Sequence, residues 1–154
     1  MSYVTMGIGE ERFAVEVGIV REILDSRPIA RLPNAPPFLC GVIDVRGCTV
    51  PVVDLRIKLG LAAIPATDDT RILVVDLPMG NRNLVIGMQV DRVIEVADFA
   101  TESLETAPDI GVPWKSEYIQ AIGRLHGGFV VIFDMQHLFG SGDMASLHPL
   151  PAQV

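Results

Sequence analysis

The segment Gly47-Cys48-Thr49-Val50-Pro51-Val52-Val53-Asp54-Leu55 lies over Gly127-Gly128-Phe129-Val130-Val131-Ile132-Phe133-Asp134-Met135 at an offset of 80 residues, with no gap. Each copy reads as a glycine turn, a mostly apolar strand, an Asp and one helical turn; Leu59-Gly60 and Phe139-Gly140 then close them. A second echo sets Val17-x-x-Val20-x-Glu22-Ile23 over Val90-x-x-Val93-x-Glu95-Val96, now at an offset of 73. Two strings repeated in the same order restrict the chain to two similar halves that meet in space. Such a plan favours a module joining other proteins over a single catalytic pocket.

Each half runs through a hairpin, the V-x-x-V-x-E motif, an irregular stretch, a second hairpin, an Asp, a short helix and a Gly. In the first half, Val4, Met6 and Ile8 alternate on one strand, and Phe13, Val15 and Val17 on the next. Residues 19–24 have near-helical spacing and read as a short helix or a strand edge. Four prolines between Arg27 and Phe38 exclude a central strand or a helix interior there. Residues 39–45 and 48–53 predict a hairpin, with Gly47 supplying positive φ at its turn. Asp54 is placed to cap a helix over 55–59 that Gly60 ends. The polar linker at 61–70 predicts the boundary between halves, roughly 15–65 and 66–140, with the N-terminal strand completing the pair. Residues 141–154 read as a disordered tail, and Trp114 as a loop anchor. About five short strands per half, joined by short links, predict an all-β fold of two small antiparallel barrels. Halves this small bury too little surface alone, so they are expected to share a hydrophobic core within one domain over 1–140.

Charge narrows the function. The chain carries 19 acidic and 12 basic residues, a net charge of −7, with lysines only at 58 and 115. Without a cationic cluster it lacks the footprint of a nucleic-acid binder or of an anionic-membrane binder. The longest uncharged stretch, 32–43, contains three prolines and predicts no membrane span. No signal peptide is evident at the N-terminus, so a cytoplasmic location is expected. Cys40 and Cys48 sit out of register for a disulfide across the predicted hairpin and are expected as free thiols.

Sequence signatures of nucleophilic, zinc-hydrolytic, P-loop and dinucleotide-binding sites are absent. His126, His137 and His148 lack metal-ligand spacing with the cysteines, so no metal site is expected. Asp54 and Asp134 form a tempting carboxylate pair, but capping accounts for both. His126 lies at a turn, where a solvent-exposed residue explains it without a general base. A small-ligand or hydrolytic barrel built on Asp54, Asp134 and His126 is the alternative from another functional class. Arg46 stands beside a glycine at a turn, where its guanidinium suits either a partner's carboxylate or bulk water. Glu22, between Val20 and Ile23, is a single acid on an apolar edge; it reads as a solvated side chain or as part of a docking edge.

Taken together, Tyr3-Val4-Thr5 through Phe13-Ala14-Val15, Val20 to Leu24, Leu32 to Phe38, Gly41 to Gly47 and Pro51 to Arg56 resemble the CheW family of chemotaxis coupling proteins. The resemblance continues through Val90 to Val93 and Glu117 to Ile119, covering roughly 2–140. It departs from the usual pattern at Asp44, Ala121 and His126. The resemblance implies two intertwined five-stranded SH3-like barrels, no enzymatic activity and no cofactor. It implies an adaptor between the cytoplasmic tip of a chemoreceptor and the regulatory domain of a histidine kinase, with further copies of itself as potential ring neighbours. Carried over, Val20, Glu22 and Ile23 match a kinase-docking edge, and Arg46, Gly87 and Val93 match a receptor-facing groove. An adaptor of a non-flagellar pathway is the nearer alternative.

Overall fold

A computed structural model of the chain describes residues 1–108 and 117–140. The loop anchor expected at Trp114 and the tail expected at 141–154 lie outside these residues. Within these residues, ten strands form two five-stranded antiparallel-rich sheets. They are β1 (Ser2–Ile8), β2 (Glu11–Glu16), β3 (Val20–Asp25), β4 (Leu39–Val45), β5 (Cys48–Asp54), β6 (Arg71–Met79), β7 (Arg82–Val90), β8 (Arg92–Asp98), β9 (Ile119–Leu125) and β10 (Gly128–Phe133). Helices α1 (Leu55–Lys58) and α2 (Met135–Phe139) follow β5 and β10. The near-helical pattern at 19–24 resolves into a 3-10 turn at Val17–Ile19 followed by β3.

One sheet has the order β8-β1-β2-β10-β9 and the other β3-β6-β7-β5-β4. These sheets do not follow the sequence halves expected at 15–65 and 66–140. Each half gives its first hairpin to the other half's sheet, so β1–β2 joins β8–β10 and β6–β7 joins β3–β5. The exchange is held by matching parallel contacts: Ile132 opposes Ala14 in one sheet, and Val52 opposes Gly87 in the other. Equivalent bridges, Ala30 to Val42 and Glu105 to Ile122, flank β4 and β9. The repeat is therefore a spatial pseudo-twofold, and Glu22 and Glu95 oppose equivalent residues, Val74 and Thr5.

Hydrophobic burial explains the exchange. Ile43, Val50, Val52 and Ile72 fill the inside of the second sheet, and Tyr3, Ala14, Phe99, Val130 and Ile132 fill the first. Between the sheets lies a larger core containing Met6, Val15, Leu73, Val75, Ile86, Met88, Leu138 and Phe139. Strands such as β6 thus bury apolar side chains on both faces, the first toward their own barrel and the second toward the shared core. Neither barrel could keep that second face dry alone.

The expected hairpin at 39–53 forms, with Val45 opposite Cys48, but its far end departs from simple register. A bulge places Leu39 opposite Val53 and Gly41 opposite Val52, leaving Cys40 extra. Gly41 makes the bulge possible: at φ +145°, any Cβ would sit 2.0 Å from the Ala30 carbonyl oxygen. Both cysteines are free thiols, and burial pushes that of Cys40 up to about 11.

Candidate functional site

The second sheet presents a cavity of about 590 Å³ on the face that carries its own core, lined by Val45, Val50, Val74 and Val85 and rimmed by Arg21, Glu22, Arg46 and Thr49. The β4–β5 turn builds its mouth. Arg46 and Gly47 both take left-handed backbone, φ +51° and +84°, as a two-residue turn matched to strand twist requires. That conformation sends the Arg46 side chain across to β3. There its Nη1 donates to Glu22 Oε2 at 2.5 Å and its Nη2 to Glu22 Oε1 at 3.1 Å, a two-point ion pair. Arg46 remains 77% exposed while Glu22 is 20% exposed, so the acid is held and the guanidinium still faces solvent. An exposed pair of this kind contributes only about 0–1 kcal/mol to folding. Its value is to orient both groups.

Beside it, Arg21 donates to Asp76 Oδ2 at 2.6 Å. A bulge in β3 between Val20 and Glu22 makes this arrangement possible, because it puts two consecutive side chains at one rim. Ile23 stands 43% exposed next to the rim. The sequence allowed Arg46 and Glu22 to be singled out, but only the fold joins them into one feature. Sequence reasoning missed Arg21 and Asp76; charge at a strand edge was their only signal.

The other residues singled out lie elsewhere. Val20 and Val93 occupy equivalent repeat positions, and both pack, partly buried, against the shared core. Gly87 is buried in β7, where a Cβ would sit 2.9 Å from Ile72 Cγ2 and 3.4 Å from Val52 Cγ2. The structure therefore gives Gly87 a packing role, and groups Arg46 with Glu22 instead of with Gly87 and Val93.

Asp54 and Asp134 cap α1 and α2: Asp54 Oδ1 accepts from Arg56 N at 2.9 Å, and Asp134 Oδ1 from His137 N at 3.1 Å. They do not meet. Asp54 lines one cavity with Arg27, Arg31 and Gln89, Asp134 lines another with Glu16 and Gln120, and His126 pairs with Glu95. This arrangement removes the geometric basis for the three-residue hydrolytic site. Burial raises the Asp54 carboxyl above its ordinary value, against the lowering effect of the cap bonds and Arg56. Raised folded-state affinity for a proton means stability falls as pH climbs from the unfolded to the folded value of this group, and is level above it. Asp54→Ala is accordingly expected to cost about 1–2 kcal/mol in urea denaturation at pH 7. Asp54→Asn keeps the acceptor, so it should stay within about 1 kcal/mol of wild type and flatten the acid-range pH dependence. Equal losses for Ala and Asn would contradict the capping role.

Among the described residues no group of three or more His, Cys, Asp or Glu side chains is placed to hold a metal ion. Among the same residues no helix is long and apolar enough to cross a membrane.

The sequence matches the CheW-like domain model over residues 2–143. The chain belongs to the CheW-like family. It is 31% identical over 138 residues to the chemotaxis protein CheW of Klebsiella aerogenes, covering 90% of this chain and 81% of that one. To the chemotaxis protein CheW of Rhizobium meliloti it is 27% identical, covering 87% and 84%. Protein PilI of Pseudomonas aeruginosa is 29% identical over a shorter span, 62% of this chain and 52% of that protein. In three dimensions the chain is similar to the scaffolding protein TtCheW of Thermoanaerobacter tengcongensis, with a TM-score of 0.79 and 25% identity over 92% of this chain and 89% of that one. The CheW-like fold accounts for the two five-stranded curled sheets, and the family is one of scaffolds rather than one named for a reaction.

Proposed function

We propose that this CheW-like chain is a non-enzymatic adaptor, needing no cofactor, that couples the cytoplasmic tip of a chemoreceptor to the regulatory domain of a histidine kinase. The observation that carries this reading is the Arg46–Glu22 pair at the mouth of the valine-lined cavity. Ile23 on the adjoining edge supplies apolar contact area, and Arg46 supplies a directional charge. The kinase-docking edge is Val20, Glu22 and Ile23, with Val20 acting from the core side by fixing where β3 lies. Arg46 and Val93 act on the receptor side, and Gly87 supports that side by packing. Because Glu22 holds Arg46, a shift in one docking surface is felt at the other. The adaptor thereby transmits bias between partners without a large change of its own shape. Recruitment through these partners places it in the cytoplasm at a membrane array.

Arg46→Glu puts like charges face to face and removes the cation. Receptor-coupled activation of the kinase, reconstituted with purified partners, is expected to fall by about tenfold or more, the equivalent of about 1.4 kcal/mol of lost coupling. Folding should be little changed, since an exposed pair contributes at most about 1 kcal/mol. Undiminished coupling by the Arg46→Glu protein would overturn the assignment. The PilI likeness favours a second circuit for the same adaptor, a non-flagellar pathway. Capture of kinases from the native cell by the tagged chain separates the two.

A further inference from the structure

The pseudo-twofold that relates the sheets puts His126 where the other half has Arg46. Both lead a turn with φ +51°, and both are followed by a glycine in the left-handed region. Both reach the Glu of a V-x-x-V-x-E motif: Arg46 meets Glu22, and His126 Nε2 lies 2.8 Å from Glu95 Oε2. The pairing is equivalent, but its cation differs. An Arg is charged throughout the physiological range, whereas histidine is the side chain that changes charge there. We infer that the His126–Glu95 contact is a proton-dependent latch between β8 and the β9–β10 turn, the titratable counterpart of the fixed Arg46–Glu22 pair.

The surroundings isolate the pair. Glu95 is pinned through its backbone, its N–H donating to Thr5 Oγ1 at 3.1 Å while that hydroxyl donates to the Glu95 carbonyl at 2.8 Å. The carboxylate is left to pair with His126. The charged groups that face the turn are engaged elsewhere. Arg124 on β9 pairs with Glu105 at 3.1 Å and covers the Phe129 ring at 4.8 Å. Arg12 on β2 donates to the Leu125 carbonyl at 2.7 Å and fills the space corresponding to the open cavity of the other sheet. Neutral imidazole can still donate one hydrogen bond from Nε2; protonation adds charge to it, and charge-assisted bonds are about twice as strong. The latch is thus firmer with the imidazole protonated and slacker with it neutral. Val96 and Phe129, 62% and 58% exposed, sit on the two elements that it joins. The pairing of His137 with Asp134 is different, since it stays within the turn that opens α2.

The test is an NMR titration of the full, isotopically labelled chain from pH 5 to pH 8.5. The Glu95 side-chain carboxyl signal is expected to follow the titration of the His126 ring and to ignore that of His137. In both His126→Arg and His126→Gln that inflection disappears. The ratio of wild-type to His126→Arg amide exchange rates in β8 and the 126–127 turn should rise about two- to fivefold between pH 5 and pH 8, the range expected of an exposed pair. A Glu95 carboxyl signal insensitive to His126, or an exchange ratio constant with pH, overturns the latch. The measurement needs no kinase or receptor, so the latch can fail while the adaptor reading survives, and the reverse.

Discussion

Phe139→Ala is expected to destabilise the protein by about 3–5 kcal/mol, the cost of emptying a large aromatic site in a close-packed core. Phe139 closes α2, is fully buried, and lies in the core between the two sheets together with Met6, Val15, Leu77 and Met88. Its repeat counterpart, Leu59 after α1, is only partly buried against the same core. Leu59→Ala should therefore cost roughly 1–2 kcal/mol, nearer the transfer of the side chain alone. Urea denaturation of both variants reads the difference directly. If Phe139→Ala cost under about 1 kcal/mol, α2 would not be closing the shared core. A loss confined to one sheet, seen as two separate transitions, would mean that the sheets do not depend on each other.

Gly87→Asp should be comparably damaging, at least about 3 kcal/mol, because it places a carboxylate against the methyls of Ile72 and Val52 and the Pro51 carbonyl oxygen. The equivalent position in the other sheet is Ala14, fully buried and opposite Ile132. Gly87→Ala must displace the Cγ2 methyl of fully buried Ile72 and should cost about 1–3 kcal/mol. The pair of variants separates packing from contact. A folded Gly87→Asp protein that had lost only receptor coupling would return Gly87 to the binding surface and contradict the packing account.

Most strands, the turns and the caps were legible because they depend on residues close in sequence, whereas the spacing at 19–24 fits a short helix and a strand edge alike. Arg46-Gly47 between two alternating runs specifies a hairpin through local backbone preference. Asp54 and Asp134 announce short helices through the two- and three-residue reach of a carboxylate to an amide. The repeat in sequence likewise announced two similar units, and the departure at His126 was visible as a residue out of pattern. Its meaning was not, because Glu95 lies 31 residues away and reaches the turn only through closure of the sheet.

Sequence alone determined that this chain makes about five short strands per unit, where most of its hairpins turn, and that two like units share a core. Only the tertiary structure decided which strands pair, exchanging β1–β2 and β6–β7 between the units. The alternating pattern of a hairpin states which face is apolar, but it is silent on whose apolar face will cover it. That choice rests on burying both sides of β6 and β7 at once, a condition met by residues far apart in the chain. The same closure brought Arg46 to Glu22 and His126 to Glu95, pairing side chains that lie 24 and 31 residues apart in the chain.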